Sequence, residues 1–183
     1  PLEEKDAPRG TIGIPRVLNM YEDYPFWFTL LTNLGFRVII SEKSTRKIYE
    51  KGIESMPSES VCYPAKLSHG HVISLIQKGI KTIFYPCMPY SRKEYQDANN
   101  RYNCPIVISY AEVIKNNVEE LKTENIKFMN PFLPFEPKQL MQRMMELEEF
   151  KEYNFTKKEL KVAIAKAEEE YQKCREDIHN KGK

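Results

Sequence analysis

The sequence predicts an α/β protein: a mostly parallel sheet covered by helices on both faces, followed by a C-terminal helical extension. Three observations predict it. Short apolar runs alternate with helical patterns from Thr11 to about Leu133. Those runs are apolar on both sides, as strands buried between two helical layers must be. From Pro137 onward the texture changes to Ala, Glu, Lys and Met at helical spacing, with no further strand pattern. A chain of 183 residues suits one domain of this kind with an extension. The expected division is a polar linker over 1–10, an α/β domain over 11–136 and a helical extension over 137–183.

"GTIGIPRVL" opens the domain as a short β-branched strand that stops at Pro15. "YEDYPFWFTLLTNLG" follows as a helix with Phe26, Leu30, Leu31 and Leu34 on one face and Gly35 as its stop. "FRVIIS" is the second strand. "STRKIYEKGI" is a helix capped by Ser44 or Thr45. "SESVCYPAKLSHGHVISLIQKG" is a loop that runs into a third helix. Pro64 sits in its first turn, where a missing N–H costs nothing, and Leu67, His71, Leu75 and Ile76 lie at helical spacing. "KTIFYPCM" is a strand that ends at Pro86. "CPIVISY" reads as a further strand, "AEVIKNNVEELK" as a helix, and "NIKFMNPFL" as the last strand. In the extension, Leu160, Ile164, Ala167, Tyr171, Cys174 and Ile178 form one stripe, and Cys174 reads as a small packing residue on it.

Composition narrows the function. Hydrophobic residues at 41% and charged residues at 30% describe a folded chain rather than a disordered one. Lys+Arg 28 against Asp+Glu 26 lacks the basic excess of a nucleic-acid binder. No apolar run approaches the roughly 20 residues that cross a bilayer, so no membrane partner is expected. "PLEEKDAPRG" lacks an export signal, and a cytoplasmic location is the expectation. GxxxxGK[ST], GxGxxG and GxSxG are all absent, so nothing supports those phosphate-binding or nucleophile devices.

Chemistry is left to the cysteines. Cys62 precedes a helix, Cys87 follows a strand within "YPCMP", and Cys104 lies within "YNCPI". Prolines 64, 86, 89 and 105 stiffen the three segments, and a stiff loop can hold a thiolate in place. Three thiolates suit a [4Fe–4S] cluster with one iron left open, because thiolates are its preferred donors. Inert packing is the rival reading, since there is no CxxC pair. A strand starting at Cys104 would also put it at the sheet edge opposite Cys87. His69 and His71, two apart on a helix, point to different faces and make a poor chelating pair. His71 falls on the buried face, whereas His69 and Lys66 are expected to line a loop or pocket. A cation in a first helical turn suits an anionic neighbour ahead of the helix, or simple exposure.

Taken together, "IGIPRVLNMYEDYPFWFTLLTNLGFRV", "SESVCYPAKLSHGH", "IFYPCMPY" and "NCPIVISYAEVIKNN" resemble the uncharacterised domain of CoA-substrate-specific enzyme activase-related proteins. That domain is similar to subunits of 2-hydroxyacyl-CoA dehydratases and benzoyl-CoA reductases. The resemblance implies a Rossmann-like fold and matches Cys62, Cys87 and Cys104 to the ligands of a [4Fe–4S] cluster. Lys66, His69 and His71 would then tune charge around it. The resemblance further implies low-potential electron transfer, with an ATP-hydrolysing activase domain or subunit as partner and a CoA thioester in the same system. Only one α/β unit is visible, where dehydratase subunits carry more, so no catalytic residue is assigned. Two other expectations stand beside this one. The first is a non-catalytic module that docks an ATPase domain or partner subunit, and the second is a metal-free binder of CoA thioesters.

Overall fold

The computed structural model describes residues 1–93, 97 and 99–182. Four parallel strands stand in the order β2-β1-β3-β4: β1 Thr11–Ile14, β2 Arg37–Ile40, β3 Thr82–Phe84 and β4 Lys127–Met129. Register runs from Thr11 opposite Arg37 to Ile14 opposite Ile40, with Gly13 opposite Ile83 and Ile83 opposite Phe128. Parallel neighbours need crossovers, and helices supply them. Helix α1 (Met20–Asn33) joins β1 to β2. Helices α2 (Arg46–Lys51) and α3 (Tyr63–Gln77) join β2 to β3, and α4 (Pro105–Asn117) with α5 (Glu120–Thr123) joins β3 to β4. The chain leaves β1 in one direction and β3 in the other. Right-handed crossovers therefore set α1 on one face and α3 with α4 on the other. Contact between α3 and α4 agrees with this placement. This is the α/β, Rossmann-like architecture expected from the alternation of strands and helices.

The extension holds α6 (Pro137–Glu146), α7 (Glu148–Lys151) and α8 (Lys157–Lys181). Helix α8 begins at a capping box in which Thr156 and Glu159 satisfy each other's backbone N–H groups. It then packs along α1. Leu160, Ile164, Ala167 and Tyr171 are buried there, and the core is continuous with Phe26, Trp27 and Leu30 of α1. At ~1.5 Å per residue, α8 runs about 37 Å against about 21 Å for α1. Its last turns therefore overhang the sheet. Cys174 is half-buried and Ile178 is 66% exposed.

Two chain turns have the glycines they need. Gly35 and Gly79 close α1 and α3 at φ +83° and +78°, where an L side chain is strained. A closer approach occurs between α2 and α3. A Cβ on Gly70 would lie 1.7 Å from the Ile48 carbonyl oxygen, so only glycine lets the helices meet.

One expected strand is corrected. "CPIVISY" is not extended: Pro105 to Tyr110 form the first turns of α4. β-Branched residues favour strands only where a pleated surface receives them. Here Pro105 starts a helix, and Tyr110, Ala111 and Ile114 fall on one buried helical face. Among the described residues, no helix is long and apolar enough to cross a membrane.

Candidate functional site: the cysteine rim

Helices α3 and α4 run antiparallel to the strands, so both begin at the carboxyl rim of the sheet. Cys62 is the N-cap of α3 (φ −62°, ψ 150°) and Cys104 the N-cap of α4 (φ −52°, ψ 137°). Each is followed by a proline in the first helical turn, and neither side chain makes a capping hydrogen bond. The first N–H groups of both helices therefore lack a side-chain acceptor from the cap residue. Both thiols are exposed.

Cys87 lies three residues beyond β3 on the same rim. Its N–H donates to the Pro131 carbonyl (2.9 Å) and its carbonyl accepts from Leu133 N–H (3.2 Å), which extends the β3–β4 pairing past the strands. The residue is fully buried. Burial, with a smaller contribution from Glu112, pushes its thiol up to about 11, and Lys115 opposes the shift. Asn130 joins these two neighbours: its Nδ2 donates to Glu112 Oε1 (2.6 Å), and its Oδ1 accepts from Lys115 Nζ (3.2 Å).

The long loop after β3 returns to its own beginning. Asn103 N–H donates to the Pro89 carbonyl (3.0 Å) and Asn103 Nδ2 to the Met88 carbonyl (2.8 Å). Ser91 N–H donates to the Arg101 carbonyl (2.8 Å), and Tyr90 pairs with Tyr102 between them. This short antiparallel tie holds the residue before Cys104 against the segment that follows Cys87. The helical start of α4 and this tie set Cys104 on the rim that Cys87 occupies, not on the opposite edge.

The charged and imidazole groups named from the sequence occupy three different settings. Lys66 is half-buried and its Nζ donates to the Glu59 carbonyl (2.6 Å), which folds the preceding loop back on α3. His69 is fully buried rather than lining a loop. Its Nδ1 meets Ser55 Oγ (2.8 Å) and its Nε2 meets Tyr110 Oη (3.1 Å). Ser55 already gives its hydrogen to the Gly52 carbonyl, so it accepts from Nδ1–H, and Nε2 accepts from Tyr110. His71 is fully buried as well, between Ser41 Oγ at Nδ1 (2.8 Å) and Ser44 Oγ at Nε2 (3.0 Å). Ser41 Oγ also accepts Arg16 N–H (2.8 Å), so this network ties the loops after β1 and β2 to α3. Burial lowers both imidazoles to about 4. Both are therefore neutral at pH 7. Cys62 is near enough to Tyr110 to add to the rise that burial gives its hydroxyl.

Sequence reasoning did not single out Tyr110, Asn103 or the Glu112–Asn130–Lys115 group. Tyr110 was hidden by the strand reading, although Ile106, Tyr110, Val113, Ile114 and Asn117 already stood at helical spacing. The donor class on the rim suits iron–sulfur chemistry. The side-chain arrangement is not a ready-made metal site, because among the described residues no three His, Cys, Asp or Glu side chains are grouped to hold a metal ion.

A family model described as the CoA enzyme activase uncharacterised domain matches residues 11–183, nearly the whole chain and all of its extension. No curated protein and no solved structure matches. With that match, the chain belongs to the CoA enzyme activase uncharacterised domain family.

Proposed function

We propose that this domain serves a CoA-enzyme activation system in the cytoplasm as its iron–sulfur-binding, electron-transferring part. Cys62, Cys87 and Cys104 would be the thiolate donors of a [4Fe–4S] cluster. The observation that carries the reading is positional. Three cysteines from two crossovers, Cys62 between β2 and β3 and Cys87 with Cys104 between β3 and β4, stand on one rim of the sheet, two of them at the starts of adjacent helices. A bound cluster would supply one-electron chemistry at low potential. Around it, the protein's own groups hold fixed charge. His69 and His71 stay neutral, Lys66 is anchored to the Glu59 carbonyl, and the helix N-termini favour negative charge ahead of them. The natural partners in this reading are an ATP-hydrolysing activase domain or subunit and a dehydratase or reductase that acts on a CoA thioester.

Cys87 sets the condition. Its thiol is buried and protonated, so metal binding must release its proton and bring the sulfur toward the other two. The test is anaerobic reconstitution with iron and sulfide, followed by iron analysis and electronic absorption. The wild type should take up iron in proportion to cluster, and a Cys62→Ser/Cys87→Ser/Cys104→Ser variant should take up little. Equal iron in both refutes the reading.

A second reading draws on the lack of a grouped metal-binding set among the described residues. Here the rim is a docking face for an activase domain, and the cysteines only pack. Aromatics exposed on the rim, Tyr63, Tyr102 and Phe132, suit a protein contact. Capture of an activase domain by the triple-serine variant as strongly as by wild type favours this reading.

A further inference from the structure

We propose that the cleft beneath the overhang of α8 binds a phosphorylated nucleoside, a flat aromatic ring joined to a diphosphate. The cleft has a volume of about 1020 Å³. That is the size class of small-molecule sites, ~300–1,000 Å³. Its walls are the loop after β3, the loop between β4 and α6, and the last turns of α8. The first two loops leave the carboxyl ends of strands, and α8 roofs them because it outruns α1. The strand order changes direction between β1 and β3, and doubly wound sheets bind ligands outside the carboxyl ends at such a point. A smaller cavity of about 570 Å³ shares Tyr171, Arg175 and His179 and reaches Arg16 in the loop after β1.

The lining supplies both halves of the ligand's chemistry. Tyr90, Phe135 and Tyr171 bring aromatic side chains to the lining, and Tyr90 is exposed there. Arg92 sits at the base, 4.0 Å from the centroids of both Phe135 and Tyr171, and its Nη1 pairs with Glu168 (2.5 Å). Among the described residues four cations line the cleft, Arg92, Lys93, Arg101 and Arg175, against three carboxylates, Glu136, Glu168 and Glu176. Two of those carboxylates are committed elsewhere. Glu136 accepts from the N–H groups of Lys138 and Gln139 as the cap of α6, and Glu168 holds Arg92 and Gln172. Among the described residues the side chains of Lys93 and Arg101 have no ion-pair partner. Glu176 is the one opposing charge left on the α8 wall. Because the chain has no glycine-rich phosphate loop, side chains must hold the phosphates, and binding must weaken with salt.

This inference does not depend on the thiols, and iron-free protein tests it. ADP, coenzyme A, inorganic pyrophosphate and adenosine are titrated into the 183-residue chain by calorimetry at low and high salt. ADP or coenzyme A should bind saturably and adenosine far more weakly. A Lys93→Glu/Arg101→Glu variant should lose at least tenfold in affinity. Arg46→Glu, at a surface ion pair on α2, should lose nothing. Equal affinity for ADP and coenzyme A assigns the site to the nucleotide moiety they share, and a tenfold preference for coenzyme A assigns it to the thioester carrier. Three results overturn the proposal. They are no saturable binding of either ligand, pyrophosphate binding as tight as ADP, or full affinity in the double charge reversal.

Discussion

Mild acid should destabilise this domain through two histidines, and the effect can be sized from their surroundings. His69 and His71 are fully buried and held near pKa 4, against about 6.5 when unfolded. Burial is the main cause for both. For His71 the Arg16 charge adds to it and Glu42 opposes it. A lowered pKa means that the unfolded chain binds protons first as pH falls. Stability is complete above about pH 6.5 and drains away between 6.5 and 4. Between pH 7 and pH 5 each histidine should therefore cost about 2 kcal/mol, and the pair about 4 kcal/mol. The third histidine, His179, is exposed on α8. Urea unfolding followed by circular dichroism at pH 7 and pH 5 measures the loss. His71→Gln keeps hydrogen-bonding capacity but cannot titrate, so its pH 7-to-5 loss should be about half that of wild type. An undiminished loss in His71→Gln, or no loss in wild type, would refute the reasoning.

Two further outcomes follow from packing and access. Gly70→Ala should destabilise the domain by about 3 kcal/mol or more, read as a lowered urea midpoint, because its methyl would overlap the Ile48 carbonyl and backbone must move. Iodoacetamide at pH 7, followed by mass spectrometry, should label Cys62 and Cys104 readily and Cys87 only after unfolding, since the first two are exposed and the third is buried and protonated.

How much was legible depends on whether the deciding physics was local. Strand β1, helix α1 and its Gly35 stop, the Thr45 cap and Pro64 in the first turn of α3 all follow from patterns a few residues long, and all are present. The stripe on α8 was legible as far as Tyr171. Beyond it Cys174 is only half-buried and Ile178 is exposed, because sequence does not state how far α1 extends beneath. "IVIS" was misread since β-branched residues look alike in a strand and on a helix, and only packing against α3 decides between them. The candidate site was legible as residue identities and not as relations. No spacing announces that Asn103 ties itself to Met88 and Pro89, or that Tyr110 reaches His69 across two helices.

That last contact has a mechanical meaning. From Cys62 to His69 is about 10 Å of helix and from Cys104 to Tyr110 about 9 Å, at ~1.5 Å per residue. The two helices thus behave like the legs of a draughtsman's dividers, pinned where His69 Nε2 meets Tyr110 Oη. With legs of that length, a swing of about 6° at the pin moves each tip by roughly 1 Å. A joint two turns below the surface thus links the two helices that carry Cys62 and Cys104, through a hydrogen bond that neither cysteine makes.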